Sequence, residues 1–370
     1  NYQNPQINDL FENLNIYINP LENPDGTYII SDSTVFGSVR YNANGVDLNR
    51  NYPNPVYGDH PDNNEWQPET VAMMDYLKKI KPNLSANFHG GAEVVNYPWD
   101  SYIEIHPDDD WLRFVSSEYA DTAISRRPGY MSDFPGGITN GWEWYFAHGT
   151  RQDYVTYYLG GRELTIELFD VKTTPEYLIS ELWETNKNSL INYIHQAKYG
   201  LQGIVTDSVT GLALQAKIKI LNYDEQSSIV YSDENSGYFV RYLKESFYDI
   251  EISADGYKPF TVNDFSIEDY TTQFVDVRLQ ILEDTLLPLT DRIYIENLFN
   301  NYLNLRINNP SEQNMGLYIY NLSGAILFSE NYYLIEGVND IQLLPILPQG
   351  IFLLKLIFPD EEQSYKIFKY

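Results

Sequence analysis

The pattern of this chain changes at Lys198, and that change limits the folds open to it. Before it, strand-like runs alternate with helical spacing. Pro68–Lys81 carries Val71, Met74, Leu77 and Ile80 at helical intervals, and Leu84–Phe88 is a short apolar strand. Trp111–Ile124 predicts a second helix, with Asp108–Asp110 as an acidic surface run at its start. Leu164–Phe169 is another apolar strand, and Thr174–Lys198 is a long amphipathic helix. Leu14–Pro20 alternates and predicts a buried strand, while residues 27–66 and Gly136–Gly149 predict loops. Such alternation predicts an α/β sandwich on a mixed or mostly parallel sheet. Functional residues then belong at strand ends and in the loops they feed.

After Lys198 the helical spacing disappears. Gly203–Thr206, Ala216–Leu221, Tyr238–Tyr242, Tyr248–Ala254 and Gln273–Leu279 alternate between turn signals, the pattern of a small β-sandwich. Residues 281–291 predict a linker, and 292–370 a second all-β module. The fold class is therefore α/β over residues 1–198, followed by two small all-β sandwich domains, 199–280 and 292–370.

Charge and cysteine content exclude some functions. Asp and Glu number 52 against 24 Lys and Arg, a net charge of -28. That balance argues against nucleic acid or an anionic membrane as partner and favours cationic substrates. There is no cysteine, so disulfides and thiol nucleophiles are both excluded. No apolar run reaches membrane-spanning length.

Three stretches carry the chemistry. Asn44–Pro53 reads NGVDLNRNYP, Ser85–Asp100 reads SANFHGGAEVVNYPWD, and Arg162–Leu168 reads RELTIEL. Arg50 presents a planar fork suited to a carboxylate, though a structural pairing with Asp47 would equally satisfy it. His89 ends a strand, where a histidine can bind metal or simply be structural. Glu167 lies in an apolar strand, where a carboxylate needs a task or a partner such as Arg162 or Arg50. Glu163 shares its strand face by even spacing.

Together these stretches resemble the zinc metallocarboxypeptidases, in particular the carboxypeptidase N/E/D branch. The resemblance implies a mixed-sheet α/β/α carboxypeptidase domain over residues 1–198, N-terminally incomplete. It implies one zinc ion with His89 as a ligand, Glu167 as general base and Arg40 stabilising the oxyanion. Asn49 and Arg50 would grip the substrate's terminal carboxylate, and Tyr145 would close over it. Asp100 and Gln152 would select a C-terminal Lys or Arg. The family's His-x-x-Glu zinc pair is absent from this sequence. The two other ligands are therefore expected upstream of Asn1, and the chain as given is expected to be inactive. His60 and His148 lack a glutamate at the matching spacing. A cell-wall peptidase acting at diaminopimelate, whose amine could also meet Asp100, and a non-catalytic binding protein on a degenerate peptidase fold stay open as alternatives.

The piece GIVTDSVTGLAL…SGYFVRYL…YDIEISADGYKPF resembles the transthyretin-like module of the same branch. The C-terminal module, with YNLSG, QGIFLLKL and YKIFKY, resembles the sorting domain of type IX secretion cargo. These resemblances imply a secreted or outer-surface protein. Its partners would be the type IX machinery and peptides or proteins with basic C-termini.

Overall fold

Residues 5–225, 227–282, 293–296 and 298–370 are described in the structure, a computed structural model of the chain. Its first sheet has four strands, β1 (Leu84–His89), β2 (Ala92–Tyr97), β3 (Ile138–Asn140) and β4 (Arg162–Phe169), in the order β1-β4-β2-β3. β1 runs parallel to β4 with His89 opposite Glu167, and β2 runs antiparallel to β4 with Val94 opposite Glu167. The sheet is therefore mixed. Gly91 makes the reversal from β1 to β2 with a φ of +124°, a conformation that a side chain would strain.

The helices are α1 (Pro5–Asn13), α2 (Pro24–Thr27), α3 (Pro68–Ile80), α4 (Asp109–Arg126), α5 (Gly141–Trp144), α6 (Arg151–Tyr158) and α7 (Glu176–Gln196). Alternation along β4 decides which face does what. Leu164 and Ile166 pack with Val115, Tyr119 and Ala120 of α4 and with Tyr193 of α7. Burying each such aliphatic side chain contributes about 1.5–3 kcal/mol. Glu163, Thr165 and Glu167 alternate with them and so point to the opposite face. A second cluster, formed by Met73, Met74 and Leu77 of α3 with Tyr154 and Val155 of α6, completes the helix–sheet–helix layering.

Two expectations need correction. Leu14–Pro20 is not a buried strand. It is irregular, with Tyr17 56% and Ile18 84% exposed, and no strand among the described residues pairs with it. Alternation alone does not make a strand; a ladder partner does. Asp108 is not on a surface run. It is fully buried between Arg162 and Arg241. The Gly136–Gly149 loop also holds β3 and α5, while α6 and β2 carry no independent sequence signal.

Seven further strands follow: β5 (Gly200–Asp207), β6 (Lys217–Ile220), β7 (Val230–Tyr231), β8 (Tyr238–Arg241), β9 (Ser246–Ser253), β10 (Phe260–Ile267) and β11 (Thr272–Leu279). They form two sheets, β10-β9-β6-β7 and β11-β5-β8, around Val205, Ile218, Phe239, Ile252 and Val277. This sandwich belongs to the same compact unit as the α/β layers, Asn1–Leu282. Tyr242 stacks on Trp111 of α4 at 4.8 Å, joining the two.

The other unit is Glu283–Tyr370. Its strands are β12 (Ile293–Ile295), β13 (Leu298–Phe299), β14 (Leu303–Asn309), β15 (Gln313–Tyr320), β16 (Ile326–Leu334), β17 (Gly337–Leu343), β18 (Gly350–Ile357) and β19 (Glu362–Lys369). They pair as β12-β14-β17 and β13-β19-β18-β15-β16 around Leu305, Leu317, Leu354 and Ile367. The linker expected at 281–291 lies, beyond Leu282, outside the described residues. No described helix is long and apolar enough to cross a membrane.

Candidate active site

The parallel register of β1 and β4 brings His89 and Glu167 side by side, with Nδ1 and Oε1 3.8 Å apart. Burial pushes the Glu167 carboxyl up to about 7, against the pull of Arg40 and Lys172. One of its oxygens, Oε2, is buried with no hydrogen-bond partner. Burial and the nearby Arg40 hold His89 down at about 4, so its ring is neutral at pH 7 and keeps a free lone pair. Glu163, on the same face, is engaged elsewhere. It accepts from Ser85 Oγ at 2.6 Å and Asn87 Nδ2 at 2.9 Å, and pairs with Arg151 at 3.3 Å.

The Asn49–Arg50 pair sits in a short 3-10 turn, Leu48–Arg50, capped by Asp47, which accepts from the Asn49 N–H at 3.1 Å. The same Asp47 carboxylate pairs with Arg40, Nε to Oδ2 at 2.6 Å. Asp47 therefore serves Arg40, and Arg50 stays out of that pairing. Arg50 donates to its neighbour's carbonyl, Asn49 O, at 2.6 Å and reaches Tyr145 Oη at 3.4 Å. No carboxylate among the described residues lies within ion-pair distance of it. Asn49 Oδ1 accepts from the Arg151 N–H at 2.9 Å, leaving its amide donors for another acceptor. Tyr145 is 47% exposed at the rim.

Asp100 is 5% exposed. Its Oδ1 accepts from Asn96 Nδ2 at 2.9 Å and Gln152 Nε2 at 3.2 Å. Burial raises its pKa, and the hydrogen bonds from Asn96 and Thr150 together with the charge of Arg50 hold it only partly back. The carbonyl oxygens of the same two amides, Asn96 Oδ1 and Gln152 Oε1, are buried without any donor. Gly141 backs directly onto this carboxylate, because a Cβ there would lie 2.0 Å from Asp100 Oδ1.

One cavity is lined by Asn49, Arg50, His89, Asp100, Tyr145 and Glu167. Gln152 lies behind Asp100, and Arg40 reaches Glu167 by charge while tied to Asp47. The motif does not single out Asn96, which also lines the cavity, four residues before Asp100. Nor does it single out Arg151 or Asp153, which flank Gln152 on α6. The available signal is adjacency alone: a helix that presents Gln152 also carries its neighbours.

His60 packs on Trp66 at 5.2 Å, and His148 on Tyr57 at 5.1 Å, both away from the cavity lining. Among the described residues, no three His, Cys, Asp or Glu side chains form a group that could hold a metal ion. Catalytic zinc takes three protein ligands as a rule. His89 and the unpartnered Glu167 oxygen do not close such a site.

The zinc carboxypeptidase family model matches residues 1–189. The chain belongs to that family. Among its carboxypeptidase relatives, Carboxypeptidase SOL1 of Arabidopsis thaliana is 34% identical over 271 residues, covering 70% of this chain and 52% of that protein. Carboxypeptidase D of Rattus norvegicus is 34% identical over 274 residues, 70% of this chain and 19% of the relative. The catalytic chain of Carboxypeptidase N from the same animal is 31% identical over 318 residues, 73% and 68% respectively. The chain thus spans about half the length of the first relative and a far smaller part of the second.

Proposed function

We propose that this protein is a metallocarboxypeptidase that hydrolyses the last peptide bond of substrates ending in Arg or Lys. One observation carries the reading. A buried carboxylate, Asp100, lines a cavity with Asn96, whose amide oxygen is unpartnered like that of Gln152 behind it, and with Arg50, which has no carboxylate partner among the described residues. Buried polar groups without partners are costly in an empty protein. A basic side chain supplies donors to all three acceptors, and a terminal carboxylate supplies Arg50 with its acceptor pair.

In this reading Arg50, the Asn49 amide and the Tyr145 hydroxyl hold the substrate's terminal carboxylate. Asp100 and Gln152 take its basic side chain, with Asn96 adding an acceptor. Glu167, with its raised pKa, takes a proton from the attacking water and returns it to the leaving amine. Arg40 sets positive charge against the developing oxyanion. The family implies zinc, and His89 is the one nitrogen donor this cavity offers it. The sandwich at 199–280 is read as a transthyretin-like domain. The β-module at 292–370 is read as a type IX sorting domain that delivers the protein to the outer surface or medium. The two-sheet cores of both support that reading.

The test is competition between matched peptides ending in Arg, Lys and Phe for protein with a complete zinc site. Arg and Lys peptides are expected to be bound and cleaved in preference. Equal handling of the Phe peptide overturns the basic-specific reading.

A further inference from the structure

Asp153 follows Gln152 on α6 and is 1% exposed, yet no role described so far uses it. Thr150 caps its helix, accepting from the Asp153 N–H at 3.4 Å. The carboxylate itself turns away from the helix, onto the segment that ends β2. Its Oδ1 accepts from the Asp100 N–H at 3.0 Å. Its Oδ2 accepts from the Ser101 N–H at 3.0 Å and from Ser101 Oγ at 2.5 Å. Ser101 Oγ in turn accepts from Asn54 Nδ2 at 2.9 Å, which ties in the loop beyond Arg50.

One helical turn therefore clamps Asp100 twice. Gln152 holds its side chain, and Asp153 holds its backbone. The second clamp uses a group that is awkward for an empty protein, since burial and the neighbouring Asp100 both push the Asp153 carboxyl up and disfavour a second charge beside the first. A neutral acceptor could cap the same N–H groups without that repulsion. The cost makes chemical sense where a cation meets the Asp100 carboxylate and the loop must not relax when it does.

The geometry assigns to Asp153 the role of positioning residue for recognition of the basic side chain. It fixes the Asp100–Ser101 peptide so that the Asp100 carboxylate stays at the depth where a guanidinium or ammonium can meet it. This rests on the reading of Asp100 as the group that selects basic C-termini.

The experiment is calorimetric titration of the full chain with matched peptides ending in Arg and in Phe. It reads binding, so it does not depend on turnover. Asp153→Asn turns an N–H donor toward a backbone N–H. The Arg-over-Phe affinity ratio is expected to fall by about tenfold or more, the loss typical of a disrupted charge-assisted hydrogen bond. Affinity for the Phe peptide is expected to hold within about threefold, a difference small on that scale. Ser101→Ala removes one donor and is expected to lower the same ratio by a smaller factor. If the wild type does not prefer Arg, the pocket reading fails and takes this inference with it. If the wild type prefers Arg and folded Asp153→Asn keeps the full preference, or loses both peptides alike, the positioning role is overturned and the pocket reading stands. Should Asp153→Asn fail to fold, Ser101→Ala decides, and an unchanged ratio there overturns the proposal.

Discussion

Arg241 lays its guanidinium across Asp108, donating from Nη1 to Oδ2 and from Nη2 to Oδ1, each at 2.6 Å. The two residues lie on different layers: Arg241 ends β8 of the sandwich, and Asp108 precedes α4 of the α/β part. Arg162, the first residue of β4, adds its Nε to Asp108 Oδ2 at 2.8 Å. Asp224 takes the other side of Arg241. Two cations and two anions are thus sealed in one place, and His106 beside them is held neutral by burial, at about 3. Removing one partner of a buried pair leaves the other charge uncompensated, at a cost of about 3–5 kcal/mol. Arg241→Met is therefore expected to lower unfolding stability by that amount. Because the pair joins both layers, the α/β part and the sandwich should lose stability together. Denaturant unfolding followed by far-ultraviolet dichroism checks it. A loss under about 1 kcal/mol, the scale of an exposed pair, would show that the bridge contributes no more than one on the surface.

The same cluster sets an acid limit. Burial alone would raise the Asp108 carboxyl, but Arg241 and Arg162 outweigh it and hold the group well below the usual carboxylate range. A folded-state pKa below the unfolded value of about 3.9 gives stability that is fully present above that pH. It is lost as pH falls through the lower, folded value. Wild type should therefore exceed Asp108→Asn in stability by its largest margin near neutrality, with the margin shrinking below about pH 4. A margin that grows on acidification would reverse the sign and refute the assignment.

Asp108 also shows where sequence reasoning stops. Asp108–Asp110 has the composition of a solvated helix start, and Asp109 and Asp110 do sit in the first turn of α4. What buries Asp108 is an arginine 133 residues later, and no local pattern encodes that. Local patterns serve well where the cause is local. The spacing of Met74 and Leu77 marks α3, and alternation in RELTIEL marks both β4 and the face on which Glu163, Thr165 and Glu167 lie. Leu14–Pro20 has the alternation without a ladder partner and stays irregular. At the cavity, motif spacing singles out Asn49, Arg50, His89, Asp100 and Glu167, which share its lining. Asn96 and Asp153 escape it because their significance lies in what they hold, Asp100, and not in a residue type with chemistry of its own.

Metal content follows from the donor set. His89 is one nitrogen donor, its neighbour Glu167 stands 3.8 Å from it, and the described residues offer no group of three ligands. The 370-residue chain, purified and dialysed, is therefore expected to hold well under one zinc per molecule by elemental analysis. One tightly held zinc per chain would mean that other residues complete the site.

Asp100 and Glu167 should separate cleanly in kinetics measured on protein with a complete zinc site. Asp100 is desolvated at the cavity floor, where its carboxylate accepts from the Asn96 and Gln152 amides. An apolar C-terminal residue would leave that charge unpaired, and an unpaired buried charge costs about 2–5 kcal/mol. Substrates ending in Arg should therefore exceed those ending in Phe by at least about tens-fold in kcat/KM. Asp100→Ala removes the pairing, so it should lose most of the rate on Arg substrates and little on Phe substrates. Glu167→Gln keeps the shape of the site and removes the carboxylate proposed to move the proton. Both substrates should then fall together, mainly in kcat. If Asp100→Ala leaves the Arg preference intact, the selecting charge lies elsewhere in the cavity. If Glu167→Gln affects KM alone, Glu167 binds substrate and does not carry the proton.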